Sequence, residues 1–168
     1  MAHLVIDGYN YLNRIRTSPV NDGSNLDMLR RSILDRLSRY KRQRGAKITV
    51  VFDAYNSFSP NRQRESFKGV DVVYSKQGET ADDVIIEWIR EKRAGMIVVS
   101  SDRAIIDEAK QYGIAFITPS KMDMLIAEEA FGKDIGKDEE EAYQEKKKGN
   151  PRKLPKKLRR ATKAVGKI

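Results

Sequence analysis

The chain has 168 residues, 39% hydrophobic and 34% charged, which suits one compact domain diluted by a polar segment. Its net charge of +9 is local: Lys146 to Ile168 hold eleven Lys or Arg and no acid, and removing those eleven from the 33 basic residues leaves 22 against 24 acidic ones over Met1–Glu145. The absence of cysteine excludes disulfides, thiolate chemistry and Cys-based zinc sites. The single histidine, His3, cannot build a multi-His centre, has no nucleophile partner in view, and reads as structural. Leu4–Ile6 is too short for a signal peptide and runs straight into Asp7, and no apolar run approaches a membrane span, so a cytoplasmic protein with no membrane partner is expected.

Along the chain, two apolar periods alternate. Leu4–Ile6, Ile48–Phe52, Val70–Tyr74, Met96–Val99 and Ile114–Ile117 are short, β-branched and nearly continuous, the pattern of strands buried on both faces. Between the first two, Leu26, Leu29, Ile33, Leu37 and Tyr40 share one helical face, with Gly45 as the stop. Val84, Ile85, Trp88 and Ile89 repeat that face before Gly95, and Ile105, Ile106 and Ala109 before Gly113. Met124, Leu125 and Glu128 carry a last helix to about Gly132. This alternation predicts a central parallel five-stranded sheet covered on both sides.

The stretch Ala54–Gly69 breaks the pattern and contains Pro60; it reads as a short helix or a mobile loop. Arg62, Arg64 and Lys68, with Phe58 and Phe67, suit it to RNA, since cations hold phosphates and aromatics stack on bases; the same composition suits an amphipathic helix lying on the sheet. Beyond Gly132 the periodicity ends. Residues 1–132 are read as the domain and 133–168 as a charged, flexible tail interrupted by Pro151 and Pro155. The tail cations, among them Arg152, Lys153, Lys156, Lys157, Arg159 and Arg160, suit a polyphosphate partner, RNA or the ribosome, because each neutralised phosphate releases counterions. A merely solvated end is the alternative.

In an open parallel sheet the functional edge lies at the carboxyl ends of the strands. Asp7, Asp53 and Asp102 stand after three of the five expected strands, the last behind Ser100 and Ser101. A fourth acidic position opens a helix at Glu79-Thr80-Ala81-Asp82-Asp83, with Thr80 as N-cap and Asp83 in capping-box spacing. Singly, each aspartate is explained as a cap or a dipole partner. Asp83 can be only the return half of the box, which leaves Asp82 as the better ligand.

Together they imply more. Three carboxylates about 5 Å apart repel by about 3 kcal/mol per pair at an effective dielectric near 20, about 10 kcal/mol in all. A divalent cation relieves that at neutral pH, and oxygen-only ligation points to Mg²⁺ or Mn²⁺. Such an ion serves phosphodiester hydrolysis. Asn10, Thr80, Ser100 and Ser101 could orient water or phosphate, though Asn and Ser are also ordinary turn formers. With no histidine pair for general acid–base attack by the 2′-hydroxyl, 5′-phosphate and 3′-hydroxyl ends are expected.

Val5-Ile6-Asp7-Gly8-Tyr9-Asn10 resembles the opening motif of NYN-domain proteins, relatives of the PIN-like nucleases. Val50-Val51-Phe52-Asp53, Glu79-Thr80-Ala81-Asp82-Asp83 and Val98-Val99-Ser100-Ser101-Asp102-Arg103 resemble the later motifs in order, over Leu4 to about Phe131. The chain is most similar to the YacP-like branch, bacterial single-domain proteins with a basic C-terminal end, of which a characterised member is a ribosome-associated endoribonuclease that cuts messenger RNA. The resemblance implies a PIN-like, Rossmann-like three-layer fold, an Mg²⁺ or Mn²⁺ pocket and hydrolysis of single-stranded RNA. It implies Asp7, Asp82 or Asp83, and Asp102 as catalytic metal ligands, Asp53 as a secondary acid, Asn10 as support, and Arg103 among the RNA-facing cations.

Two other readings compete, and a third, a small-molecule phosphatase using the same metal site, is disfavoured by the basic tail, which suits a polymer. A non-catalytic RNA- or ribosome-binding module keeps the fold and the tail without turnover. A phosphoacceptor domain would use Asp53 and Lys121, but it needs two adjacent acids after its first strand, and Asp7 is followed by Gly8.

Overall fold

Alternating burial sorts the apolar runs onto two faces of one sheet. The computed structural model describes residues 1–15, 23–54 and 58–131. In chain order these form β1 (His3–Asp7), α1 (Gly8–Ile15), α2 (Gly23–Arg44), β2 (Lys47–Phe52), β3 (Gln63–Phe67), β4 (Val70–Tyr74), α3 (Ala81–Arg90), β5 (Met96–Val99), α4 (Arg103–Gln111) and β6 (Ala115–Ile117). A further helix, α5, covers residues 119–131. Apart from Phe131, all of this belongs to one unit, Met1–Ala130. The expected flexible tail and its six named cations lie outside the described residues.

The strand order is β3-β4-β2-β1-β5-β6. The five strands expected from the sequence pair in parallel. Because strand side chains alternate, Leu4, Ile6, Ile48, Val50, Phe52, Val70 and Val72 face α1, α2 and α5, where they meet Tyr11, Leu37 and Met122. Val5, Val51, Val73, Met96 and Val98 face α3 and α4, meeting Trp88, Ile89 and Ile105. The result is the three-layer arrangement. Ion pairs Arg36–Asp123 (2.5 Å) and Arg44–Glu129 (2.5 Å) tie α2 to α5. His3 spends its ring on Thr49 Oγ1 (2.8 Å), a structural bond between β1 and β2. Among the described residues no helix is long and apolar enough to cross a membrane.

Two elements differ from expectation. Ala54–Gly69 carries a strand, β3, rather than a helix or only a loop, and it pairs antiparallel with β4. The turn explains the hairpin: Lys68 (φ 48°) and Gly69 (φ 84°) both take the left-handed region, as a two-residue type I′ turn requires. Gln63 to Ser66 are exposed, so this edge strand shows no apolar alternation, and its charges guard the open edge. The second difference is α1, which begins at Gly8 directly after β1. That abrupt start needs glycine, since a Cβ on Gly8 would lie 2.3 Å from the Phe52 ring.

Candidate functional site

The strand order places the site. β1 lies between β2 and β5, with Ile6 level with Val50 on one side and Val99 on the other. After β1 the chain builds outward through β2 and β4, then returns to the other flank with β5, so a crevice opens at the carboxyl end of β1. Asp7 ends β1 there, Asp53 follows β2, and Asp102 follows β5. Asp82 enters from the first turn of α3.

These carboxylates are held differently. Asp7 is 5% exposed and takes an N–H bond from Asn10 at 3.4 Å. Burial, then the Asp82 charge and a hydrogen bond between the two side chains, push Asp7 up to about 8. Burial raises Asp82 as well, and the charges of Asp102, Asp53 and Asp83 add to it. Both carboxyls therefore sit above the usual carboxylate range, with Asp7 the more deeply buried of the two. Asp53 Oδ1 accepts the Ala81 N–H at 2.6 Å, binding the end of β2 to the start of α3. Asp102 is the N-cap of α4, its Oδ1 accepting from Ala104 (2.9 Å) and Ile105 (3.4 Å). The Oδ2 atoms of Asp53 and Asp102 make no hydrogen bond among the described residues.

Asp83 does something else. The capping box is complete: Thr80 Oγ1 accepts the Asp83 N–H (3.1 Å), and Asp83 Oδ2 accepts the Thr80 N–H (3.0 Å). Of the two neighbours, Asp82 meets Asp7 and Asp83 closes the helix. Among the described residues no three acidic or histidine side chains close into a preformed cation cage; Asp7 and Asp82 are in contact, with Asp53 and Asp102 within range of their charge.

A polar frame borders the pair. Asn10 Oδ1 accepts from both the Ser101 N–H (2.9 Å) and its hydroxyl (3.0 Å). Arg14 Nε donates to Ser101 Oγ (2.9 Å), and buried Ser100 accepts the Asp102 N–H (3.0 Å). Arg14 went unnoticed in the sequence, although it lies one helical turn from Asn10, the spacing that puts two side chains on one face. Arg30 also went unnoticed. It donates to Tyr9 Oη (2.8 Å), and its guanidinium lies 5.2–5.9 Å from the ring centres of Phe52, Tyr9 and Tyr74.

The cations nominated for RNA are not equivalent. Arg62 is bound to both Glu79 (2.5 Å) and Glu87 (2.6 Å), and Lys68 to Asp35 (2.5 Å). Arg64 and Arg103 are exposed, with no ion-pair or hydrogen-bond partner among the described residues, and Arg103 adjoins Asp102.

The likeness to known proteins follows this layout. The family described as "YacP-like NYN domain" matches residues 4–166. The crystal structure of Rae1 (YacP) from Bacillus subtilis is similar at 20% identity and a TM-score of 0.62, over 87% of this chain and 84% of that one. A tryptophan-to-leucine mutant of the same Bacillus subtilis protein is similar at 20% identity and a TM-score of 0.61, over 77% of each chain. No curated protein sequence is a match. At that identity the structures speak for the fold, and the family match speaks for descent: the chain belongs to the YacP-like NYN domain family, a nuclease-like group.

Proposed function

We propose that the chain is a metal-dependent endoribonuclease that hydrolyses single-stranded RNA, messenger RNA among it, at the carboxyl end of β1. One observation carries this reading: two carboxylates, Asp7 and Asp82, are held in contact in a largely buried crevice with Asp53 and Asp102 near. Such a pair costs stability unless a proton or a cation sits between its members. The donor set is all oxygen, and Mg²⁺ is commonly held by one or two carboxylates with the rest of its shell water, so the residues fit Mg²⁺ or Mn²⁺. Asp7 and Asp82 would hold the ion, with Asp102 and Asp53 as further carboxylates beside them whose Oδ2 atoms make no hydrogen bond among the described residues.

When bound, the ion supplies a lowered pKa for water and charge neutralisation on the phosphate. The chain's own residues do the rest. Asn10 and Ser101 fix Arg14 at the rim, where its guanidinium can take a non-bridging phosphate oxygen, and Arg103 offers a second cation beside Asp102. Asp83 is assigned to the cap and not to the metal. The basic tail would hold RNA, or the ribosome that presents it, and the site of action would be the cytoplasm.

Cleavage of end-labelled single-stranded RNA, with and without translating ribosomes, tests the reading. It predicts cutting in Mn²⁺ that stops in EDTA and leaves 5′-phosphate and 3′-hydroxyl ends. Cyclic-phosphate ends, or cutting that survives EDTA, would overturn it. Binding without any cutting would instead make the chain an RNA- or ribosome-binding module.

A further inference from the structure

A cleft of about 570 Å³ opens between α2 and the β3–β4 hairpin. That volume is in the range of small-ligand sites, about 300–1,000 Å³. Leu34, Phe67 and Tyr74 give it apolar and aromatic walls, and Arg30, Arg31 and Glu65 give it polar ones. Arg30 joins the cleft to the acidic edge, because its guanidinium spans from Tyr74 to Tyr9, two residues beyond Asp7. Its Nε is buried without a hydrogen-bond partner among the described residues.

The polar lining is selective. Asp27 and Asp35 also border the cleft, so three carboxylates face two arginines, a balance that disfavours a phosphate. Asp27 is engaged by Arg30 (3.1 Å) and Asp35 by Lys68, but Glu65 accepts only the Tyr74 hydroxyl (2.9 Å). A carboxylate has about four acceptor positions, so most of Glu65 stays available. Arg31 is exposed and makes no ion pair or hydrogen bond among the described residues. Aromatic faces, a spare carboxylate and a spare guanidinium therefore share one small space.

Guanine matches that combination. Its N1–H and N2–H groups are adjacent donors for one carboxylate, and its O6 and N7 are adjacent acceptors for one guanidinium. Its ring is a stacking partner for Phe67, whereas Tyr74 is already stacked on Phe52 with Arg30 over its ring. Adenine lacks the paired donors, and the pyrimidines lack N7. We propose that this cleft binds a guanine base of the RNA and so biases where the strand is cut, an inference that rests on the RNA reading above.

The test uses the full chain in EDTA, titrated with guanosine, adenosine, uridine and cytidine and followed by the ring resonances of Phe67 and Tyr74. Guanosine is expected to move those resonances and to bind roughly fivefold or more tighter than adenosine, the discrimination of one bidentate contact, and tighter still than the pyrimidine nucleosides. Glu65→Gln should abolish the preference over adenosine while leaving the melting temperature unchanged, and Phe67→Leu should weaken all four nucleosides. Equal affinity for guanosine and adenosine, silent ring resonances, or a preference over adenosine that survives Glu65→Gln would overturn the proposal. A guanine preference in a chain that never cleaves RNA would leave the cleft standing and the nuclease reading fallen. Metal-dependent cleavage by a chain indifferent to the base would do the reverse.

Discussion

Asp7 occupies a place that penalises its own charge. Burial and the nearby Asp82 raise its proton affinity above the unfolded value, so the sign of its linkage is opposite to that of an ordinary paired carboxylate. Its contribution to stability is complete below its ordinary value of 3.8 and is lost as the pH rises toward about 8. In EDTA the melting temperature should therefore fall over that window. Asp7→Asn should remove this part of the fall and make the protein melt higher than wild type near pH 8. Thermal denaturation across pH checks this, and a variant that melts lower than wild type at pH 8 would contradict it. Arg62 behaves in the ordinary sense. Its hydrogen bond to Glu79 holds that carboxyl below the usual range, so the stabilisation is present above about pH 4.5 and fades below it. With Arg62 19% and Glu79 10% exposed, Arg62→Ala should cost about 1–3 kcal/mol at neutral pH, measurable by urea titration. A cost near zero would mean that the loop is not pinned to α3 there.

At the scale of elements, α3 is the part that delivers Asp82. Its capping box and the Asp53–Ala81 bond fix where the first turn begins. Thr80→Ala should cost about 1 kcal/mol of stability, as N-cap losses do, and by loosening the first turn should lower cleavage more than that loss explains. Full activity in a destabilised variant would separate the cap from the site. The elements also show what a sequence discloses. The parallel strands were legible because burial on both faces forces continuous β-branched runs such as Ile48–Phe52. β3 was not, because a solvent-exposed edge strand has no apolar side to reveal and its turn uses Lys68 where Asn or Gly would have signalled it. Asp7, Asp53, Asp82 and Asp102 were legible through their positions after strands and at a helix start. Arg14 was marked only by its one-turn spacing from Asn10, on a helix that the apolar pattern did not show, and Arg30 by nothing local at all.

For the whole molecule, the charge is divided. The acidic crevice lies within the described residues, while the eleven cations from Lys146 onward lie in the acid-free segment after Glu145. If that segment holds the polyanion, removing residues 133–168 should weaken RNA or ribosome binding and flatten its salt dependence by about 0.7 per lost phosphate contact on single-stranded RNA. A salt slope unchanged by truncation would move the binding role to Arg14, Arg64 and Arg103 on the domain.

The pairing of Asp7 with Asp82, and of Asp83 with Thr80, makes the sharpest distinction available between chemistry and scaffold. The most direct measurement is single-turnover cleavage of single-stranded RNA in Mn²⁺ by wild type, Asp82→Asn and Asp83→Asn, presented on ribosomes if free RNA is not cut. Asp82→Asn is expected to lose at least about a hundredfold, the scale of removing one preorganised charge from an active site, and Asp83→Asn less than about tenfold. Equal activity in Asp82→Asn and wild type, or a reversed order of the two variants, would contradict the central claim.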